Sequence, residues 1–213
     1  MLARVLQYIF FLLIVHPVVL IVIGLTIRNQ ERLPKKGPAI IAANHNSHLD
    51  TVVLMSLYPL RMVHRLRPAA AADYFLSNKW IAWFSTNIIG IVPIERKRVD
   101  RSKDPLQNLV DVLNAGSILI FFPEGSRGEP EQLSEFKTGI ARLAERNPDA
   151  EVVPVFLRGL GKVLPKGDFL PVPFFGEVNV GMPMRWDGDR DRFMEEYTQQ
   201  MEQLNKEVDR FGA

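Results

Sequence analysis

The 213-residue chain contains no cysteine. That absence removes a thiol nucleophile, a disulfide framework and a thiolate metal site, and it suits work on the reducing, cytosolic side of a membrane. Histidine is scarce too: His16, His45, His48 and His64 are the only four, which argues against a zinc site. Nor is there an excess of one charge. Against 24 acidic residues stand 26 basic ones, a formal net charge of +2, far short of the surplus of a nucleic-acid binder, so no nucleic-acid partner is expected. Internal repeats and low-complexity tracts are missing as well, and the length suits one catalytic unit with an appendage.

What is present is unevenly placed. Residues 5–26 read VLQYIFFLLIVHPVVLIVIGLT, apolar apart from Gln7, His16 and Thr26. About 20 apolar residues suffice to cross a bilayer. His16-Pro17 removes a backbone donor in mid-run and favours a kink, so a single kinked span and a re-entrant pair of half-helices both fit. The run exceeds a signal-peptide core and no small-x-small site precedes Arg28-Asn29-Gln30, so a permanent membrane anchor over residues 1–28 is expected, with one domain over 29–213. Only Arg4 precedes the run, whereas Arg28, Arg32, Lys35 and Lys36 follow it. The positive-inside rule then puts the body on the cytoplasmic face, in the simplest case of a bacterial inner membrane, where the same cluster suits anionic headgroups.

Beyond Gly37-Pro38, short apolar runs alternate with helix-like segments. Residues 39–43, 62–66, 88–94, 117–122 and 152–157 read as strands, being short, apolar and bounded by Gly, Pro or charge. Helices are expected near 49–58, around Trp80 and Trp83, over 105–113, and from Phe136 through Ile140 and Leu143 to the stop at Asn147-Pro148. The C-terminal stretch sets Met194, Tyr197, Met201, Leu204, Val208 and Phe211 on one helical face. Such alternation predicts an α/β fold with a mixed, largely buried central sheet flanked by helices.

Four segments stand out chemically. Asn44-His45-Asn46-Ser47-His48-Leu49-Asp50 follows a candidate strand, at the kind of strand end where open α/β sheets bind ligands. A neutral imidazole there can take a proton from an alcohol, and a carboxylate within reach can hold its tautomer. A histidine that merely caps the helix or fills a polar gap accounts for the same residues, and spacing alone does not choose between His45 and His48. Phe122-Pro123-Glu124-Gly125-Ser126-Arg127-Gly128 follows another strand, with glycines that permit close backbone approach, a hydroxyl, and a guanidinium suited to phosphate. Gly90 to Arg96 opens into Lys97, Arg98, Arg101 and Lys103, either a solvated loop or a headgroup site. Val153-Pro154-Val155 has no chemistry of its own.

In this order the four segments resemble the glycerolipid acyltransferase family, and most closely its 1-acylglycerol-3-phosphate members. His45 and Asp50 resemble the family's His-x4-Asp motif, Gly90 to Arg96 its second block, Phe122 to Arg127 its Phe-Pro-Glu-Gly-Thr-Arg block, and Val153-Pro154-Val155 its fourth. Phe136-Lys137 and Gly139 resemble the Phe-Lys-x-Gly that follows the third block. The likeness covers about residues 35–185. It implies that 29–213 is an acyltransferase domain in which His45 is the general base and Asp50 its orienting partner. Arg96, Glu124, Gly125, Ser126 and Arg127 would form the glycerophosphate site. The implied reaction moves an acyl group from acyl carrier protein or coenzyme A to a lysophospholipid in the membrane, giving phosphatidic acid, with no metal or other cofactor. Ser126 stands where threonine is commoner and Gly128 where serine is frequent. The second change keeps open another lysolipid as acceptor, such as lysophosphatidylcholine or a lyso-aminolipid. A lipid-binding protein without turnover is the reading from another class. The apolar, proline-rich residues 169–175 suit either an interface loop or core packing.

Overall fold

The structure is a computed structural model that describes residues 2–75, 78–95, 104–126, 128, 133–163 and 174–211, without the side chains of Tyr74 and of 208–211. Arg96 and Arg127 lie outside the described residues, as do Lys97, Arg98, Arg101, Lys103 and residues 169–173.

The apolar run divides in two. Helices α1 (Leu2–Phe10) and α2 (His16–Ile21) are joined by a π-helical turn, Phe11–Val15, into one helix over Leu2–Ile21 that is long and apolar enough to cross a membrane. Pro17 cannot donate to the helix ladder, and the widened turn just before it absorbs that loss. Residues 23–28, apolar like the helix, instead form strand β1 (Ile23–Arg28) of the central sheet.

The remaining strands are β2 (Ala39–Ala43), β3 (Leu66–Ala71), β4 (Val92–Ile94), β5 (Ile118–Phe121), β6 (Glu151–Arg158) and β7 (Phe174–Val180). Among the described residues they form a seven-stranded mixed sheet in the order β1-β7-β6-β2-β5-β3-β4. β2 lies parallel between β5 and β6, and all five of its residues are buried, the usual state of a central parallel strand. β7 runs antiparallel to β6, and β1 pairs parallel with β7.

Helices cover both faces. On one, Phe11, Val15 and Val19 of the N-terminal helix pack with α3 (Leu49–Ser56) against Ile41, Ala43 and Val155. On the other, α6 (Gln107–Asn114), α7 (Gly139–Arg146) and α9 (Arg190–Phe211) bury Leu109, Leu143 and Tyr197 against Ile40, Ala42 and Leu119. Alternate β2 residues thus feed opposite layers, as the period of two requires. Three short helices complete the described fold: α4 (Ala72–Phe75), α5 (Lys79–Phe84) and α8 (Leu160–Val163).

Two expected strands differ. Residues 60–65 form a 3-10 helix, and β3 begins only at Leu66. Leu60 and Val63 fall on the inner side three residues apart while Arg61 and Arg65 stay exposed, a period of three that the apolar content alone conceals. The run 88–94 is split by Gly90 at φ 79°, which ends the π-helical turn Ser85–Ile89 and leaves only Val92–Ile94 as strand. The C-terminal helix buries Tyr197, Met201 and Leu204 as expected, with Phe193 added and Met194 partly exposed.

Candidate active site

β2 and β5 are neighbours with Ala42 opposite Phe121, so the loops leaving their C-terminal ends, Asn44–His48 and Phe122–Gly125, are brought together. The chain leaves β2 for β3 on one side of the sheet and returns from β5 to β6 on the other. That makes the gap at these strand ends a topological switch point, the place where open α/β sheets bind ligands.

His45 sits in the β2 loop with its side chain 20% exposed, and its Nδ1 lies 2.9 Å from Asp50 Oδ2. Asp50 is wholly buried in the first turn of α3. The same Oδ2 accepts the backbone N–H groups of Asn46 at 2.7 Å and Ser47 at 2.8 Å. Three donors converging on one oxygen define an unprotonated acceptor, so His45 carries its proton on Nδ1 and leaves Nε2 as the basic nitrogen. Hydrogen bonds to a charged group contribute roughly 1.5–3 kcal/mol each, enough to hold the ring against its own rotation. His48, the rival candidate, is exposed at the N-cap of α3.

The loop is pinned from behind. Asn44 Nδ2 donates to Leu157 O at 2.9 Å while its Oδ1 accepts from Leu157 N at 2.7 Å, and Asn46 Nδ2 donates to the same carbonyl at 3.1 Å. Both asparagines beside His45 therefore fasten the loop to β6. Tyr197 adds a hydroxyl bond from α9 to Ala42 O at 3.3 Å. The ring of Phe122 stacks on His45, centroids 4.2 Å apart and planes inclined by 23°. Sequence reasoning assigned none of these a part. Asn44 and Leu157 are 113 positions apart, so only the strand pairing joins them.

Glu124 does not face outward as a ligand-binding carboxylate would. It is 3% exposed, and its Oε1 accepts the His45 N–H at 3.4 Å. Burial pushes its carboxyl up to about 7, the negative charge of Asp50 acts in the same direction, and the His45 N–H and the Ser134 hydroxyl oppose it. Gly125, at φ 74°, closes the turn with its N–H on Phe122 O at 3.0 Å. A Cβ added there would lie 2.9 Å from Lys137 Nζ, so the Lys137 ammonium rests against this turn. Ser126 is exposed. Gly128 donates its N–H to His45 O at 3.0 Å, so its backbone ties the two loops together. Pro154 lies inside β6, opposite Ala42. Among the described residues no group of three or more His, Asp or Glu side chains could hold a metal ion.

The sequence profile of the Acyltransferase family matches residues 24–158. A chloroplastic 1-acyl-sn-glycerol-3-phosphate acyltransferase of Arabidopsis thaliana is 31% identical over 150 residues, 67% of this chain and 38% of that protein. A probable 1-acyl-sn-glycerol-3-phosphate acyltransferase of Mycoplasma pneumoniae is 28% identical over 144 residues, 64% of this chain and 50% of that protein. The matches thus span half or less of these relatives' own length. The crystal structure of the 1-acyl-sn-glycerophosphate acyltransferase from Thermotoga maritima superposes with a TM-score of 0.72 at 19% identity, covering 88% of this chain and 73% of that one, which is a shared fold. The profile takes in both loops of the site and runs from β1 to the last residue of β6, so the chain belongs to the Acyltransferase family.

Proposed function

We propose that the chain transfers a fatty acyl group from an acyl thioester, of acyl carrier protein or coenzyme A, to the sn-2 hydroxyl of 1-acylglycerol-3-phosphate, giving phosphatidic acid. The observation that carries this reading is the 2.9 Å bond between His45 Nδ1 and Asp50, which leaves Nε2 of a partly exposed ring free to act as a base. The acceptor hydroxyl attacks the thioester carbonyl carbon as its proton passes to His45 Nε2. The tetrahedral intermediate collapses, the C–S bond breaks, and the departing thiolate takes the proton back from the imidazolium. Asp50 stabilises that imidazolium, and no acyl-enzyme forms. General-base catalysis of this kind supplies about 10²- to 10⁴-fold, with the rest from holding the two substrates in line.

In this reading the phosphate is received by Arg96 and Arg127 around the Glu124-Gly125-Ser126 turn, where Lys137 adds a further positive charge. Glu124 serves by holding the His45 backbone rather than by touching the headgroup. The N-terminal helix keeps the enzyme where a lysolipid and its product both reside, with the body on the cytoplasmic side, in the simplest case of a bacterial inner membrane.

The test is turnover by the purified His45→Ala variant, followed by mass spectrometry of lipid products from mixed lysolipids and both thioester types. Activity is expected to fall by at least 100-fold with the fold intact. Retention of more than a tenth would remove His45 from its role. Product from lysophosphatidylcholine or a lyso-aminolipid in preference to 1-acylglycerol-3-phosphate would replace the proposed acceptor.

A further inference from the structure

β5 ends at Phe121, and its side chains alternate between the two layers of the core. Phe121 joins the layer beneath α6, α7 and α9. Phe122, the next residue, packs instead against the layer that holds Ile41, Ala43 and the buried side of α3. The phenyl ring is thus seated on the core, and it stacks on His45 with centroids 4.2 Å apart and planes inclined by 23°.

Two contacts then define the imidazole. The bond from Nδ1 to Asp50 fixes which edge of the ring points inward, and the phenyl face fixes the plane in which the ring lies. Together they leave Nε2 as the unengaged nitrogen, held in one orientation. The stack has an electronic consequence as well. The face of a phenyl ring carries the negative side of its quadrupole, and a cation within about 6 Å of the centroid is attracted to it. His45 is neutral while it awaits the acceptor hydroxyl and cationic once it has taken the proton, so this attraction grows as the proton arrives. A contact that is stronger in the transition state than before it lowers the barrier, whereas one that is equal in both does not.

We infer, resting on the general-base reading of His45, that Phe122 is a positioning residue whose aromatic face, beyond its apolar bulk, steadies the His45 imidazolium. Asp50 supports that charge from the edge of the ring and Phe122 from its face. Filling space over the core is a separate task, which any apolar side chain of similar size performs. Supporting charge requires the π-face.

Fluorine drains the negative face of a phenyl ring with little change in its shape, so it separates the two tasks. Full-length protein is made with phenylalanine carrying no, one, two or three ring fluorines at position 122, introduced at a reassigned stop codon. The kcat for acylation of 1-acylglycerol-3-phosphate should fall with each fluorine, by about three- to thirtyfold in total at three fluorines, the range of a cation–π contact. KM for both substrates and the melting temperature should stay nearly constant. Phe122→Leu keeps apolar bulk without a π-face and should match the trifluorinated protein. The titration of the His45 ring, followed by NMR with nitrogen-labelled histidine, should move to lower pH in the same order. Asp50 and Glu124, the carboxylates that bond His45, and Lys137 beside the Glu124 turn are common to the whole series and cancel in that comparison. Turnover and titration that are both flat from no fluorine to three would overturn the inference and leave Phe122 a packing residue. His45→Ala, assayed alongside, tells that failure from the other: full turnover in this variant would sink the general-base reading, while the titration series would still decide whether the phenyl face supports the imidazolium.

Discussion

Two buried carboxylates stand beside His45, and the chain treats them in opposite ways. Asp50 Oδ2 accepts three N–H groups within 2.9 Å, one of them from the imidazole ring, whereas Glu124 receives the His45 N–H at 3.4 Å and the Ser134 hydroxyl, and burial pushes it up to about 7. Burial alone does not decide what an acid does, since both are nearly inaccessible. The number of donors around each oxygen does. Asp50 gathers its donors from the loop just before α3, the N–H groups of Asn46 and Ser47 and the ring of His45, all on one oxygen, whereas Glu124 has the His45 N–H and the Ser134 hydroxyl. One acid can therefore hold a charge against an imidazolium, while the other tends toward its neutral form as a strut under the loop.

The sharpest way to break this contrast is Asp50→Asn. The amide oxygen can replace only part of the acceptor capacity, and its NH₂ group would confront the donors of Asn46, Ser47 or His45. Turnover should fall about 10²- to 10⁴-fold as the wrong imidazole tautomer is favoured, and thermal unfolding should shift downward. A purified variant with near-normal turnover would show that the bond to Nδ1 has no part in the chemistry.

Glu124→Gln probes the other acid through pH. Its folded pKa of about 7 lies above the ordinary 4.5, so its contribution to stability is fully present below about 4.5 and is lost as pH rises through about 7. The full loss is about 3 kcal/mol, because each tenfold change in proton affinity is worth about 1.36 kcal/mol. Melting curves from pH 5 to pH 8 should therefore descend more steeply for the wild type than for Glu124→Gln, which has no proton to lose. Parallel curves would remove Glu124 as the source of that slope.

Which parts of this were legible in the residues follows from how far each interaction reaches along the chain. His45 and Asp50 are five positions apart, and a strand ending at Ala43 followed by a helix beginning at Leu49 brings them together with no help from elsewhere. β2, β5 and β6 were readable as short buried apolar runs. β1 was not, because Ile23–Arg28 continues an apolar run whose composition is that of the preceding helix, and only pairing with β7 makes it a strand. That His45 rather than His48 bonds Asp50 depends on loop geometry, which spacing does not encode. Nor does the motif reveal that Glu124 faces inward, because the same residues in the same order would suit an acid pointed at a ligand.

Asn44→Ala tests the base on which both acids depend. Asn44 satisfies both the N–H and the C=O of Leu157, and alanine would leave that buried N–H without its partner while Asn46 keeps the carbonyl. A loss of about 1–3 kcal/mol in unfolding free energy is expected, with turnover falling because the His45 loop loosens rather than because a reacting group is gone. Restored turnover at lower temperature would accord with that distinction. Unchanged stability would mean that the strand pairing of β2 with β6 already holds the loop.

The smallest effect is expected at Lys137, beside the turn that carries Glu124. Its ammonium rests against Gly125, where a proposed phosphate would lie, but the side chain is exposed and water screens much of its charge. Lys137→Met should therefore raise KM for 1-acylglycerol-3-phosphate by about two- to fivefold, the equivalent of an exposed ion pair of up to 1 kcal/mol, with kcat little changed. The same variant should leave KM for a lysolipid with a zwitterionic headgroup nearly unaltered. Equal changes for both acceptors would assign Lys137 to shaping the turn around Glu124, and the contrast between the two acids would then extend to the residues that support them.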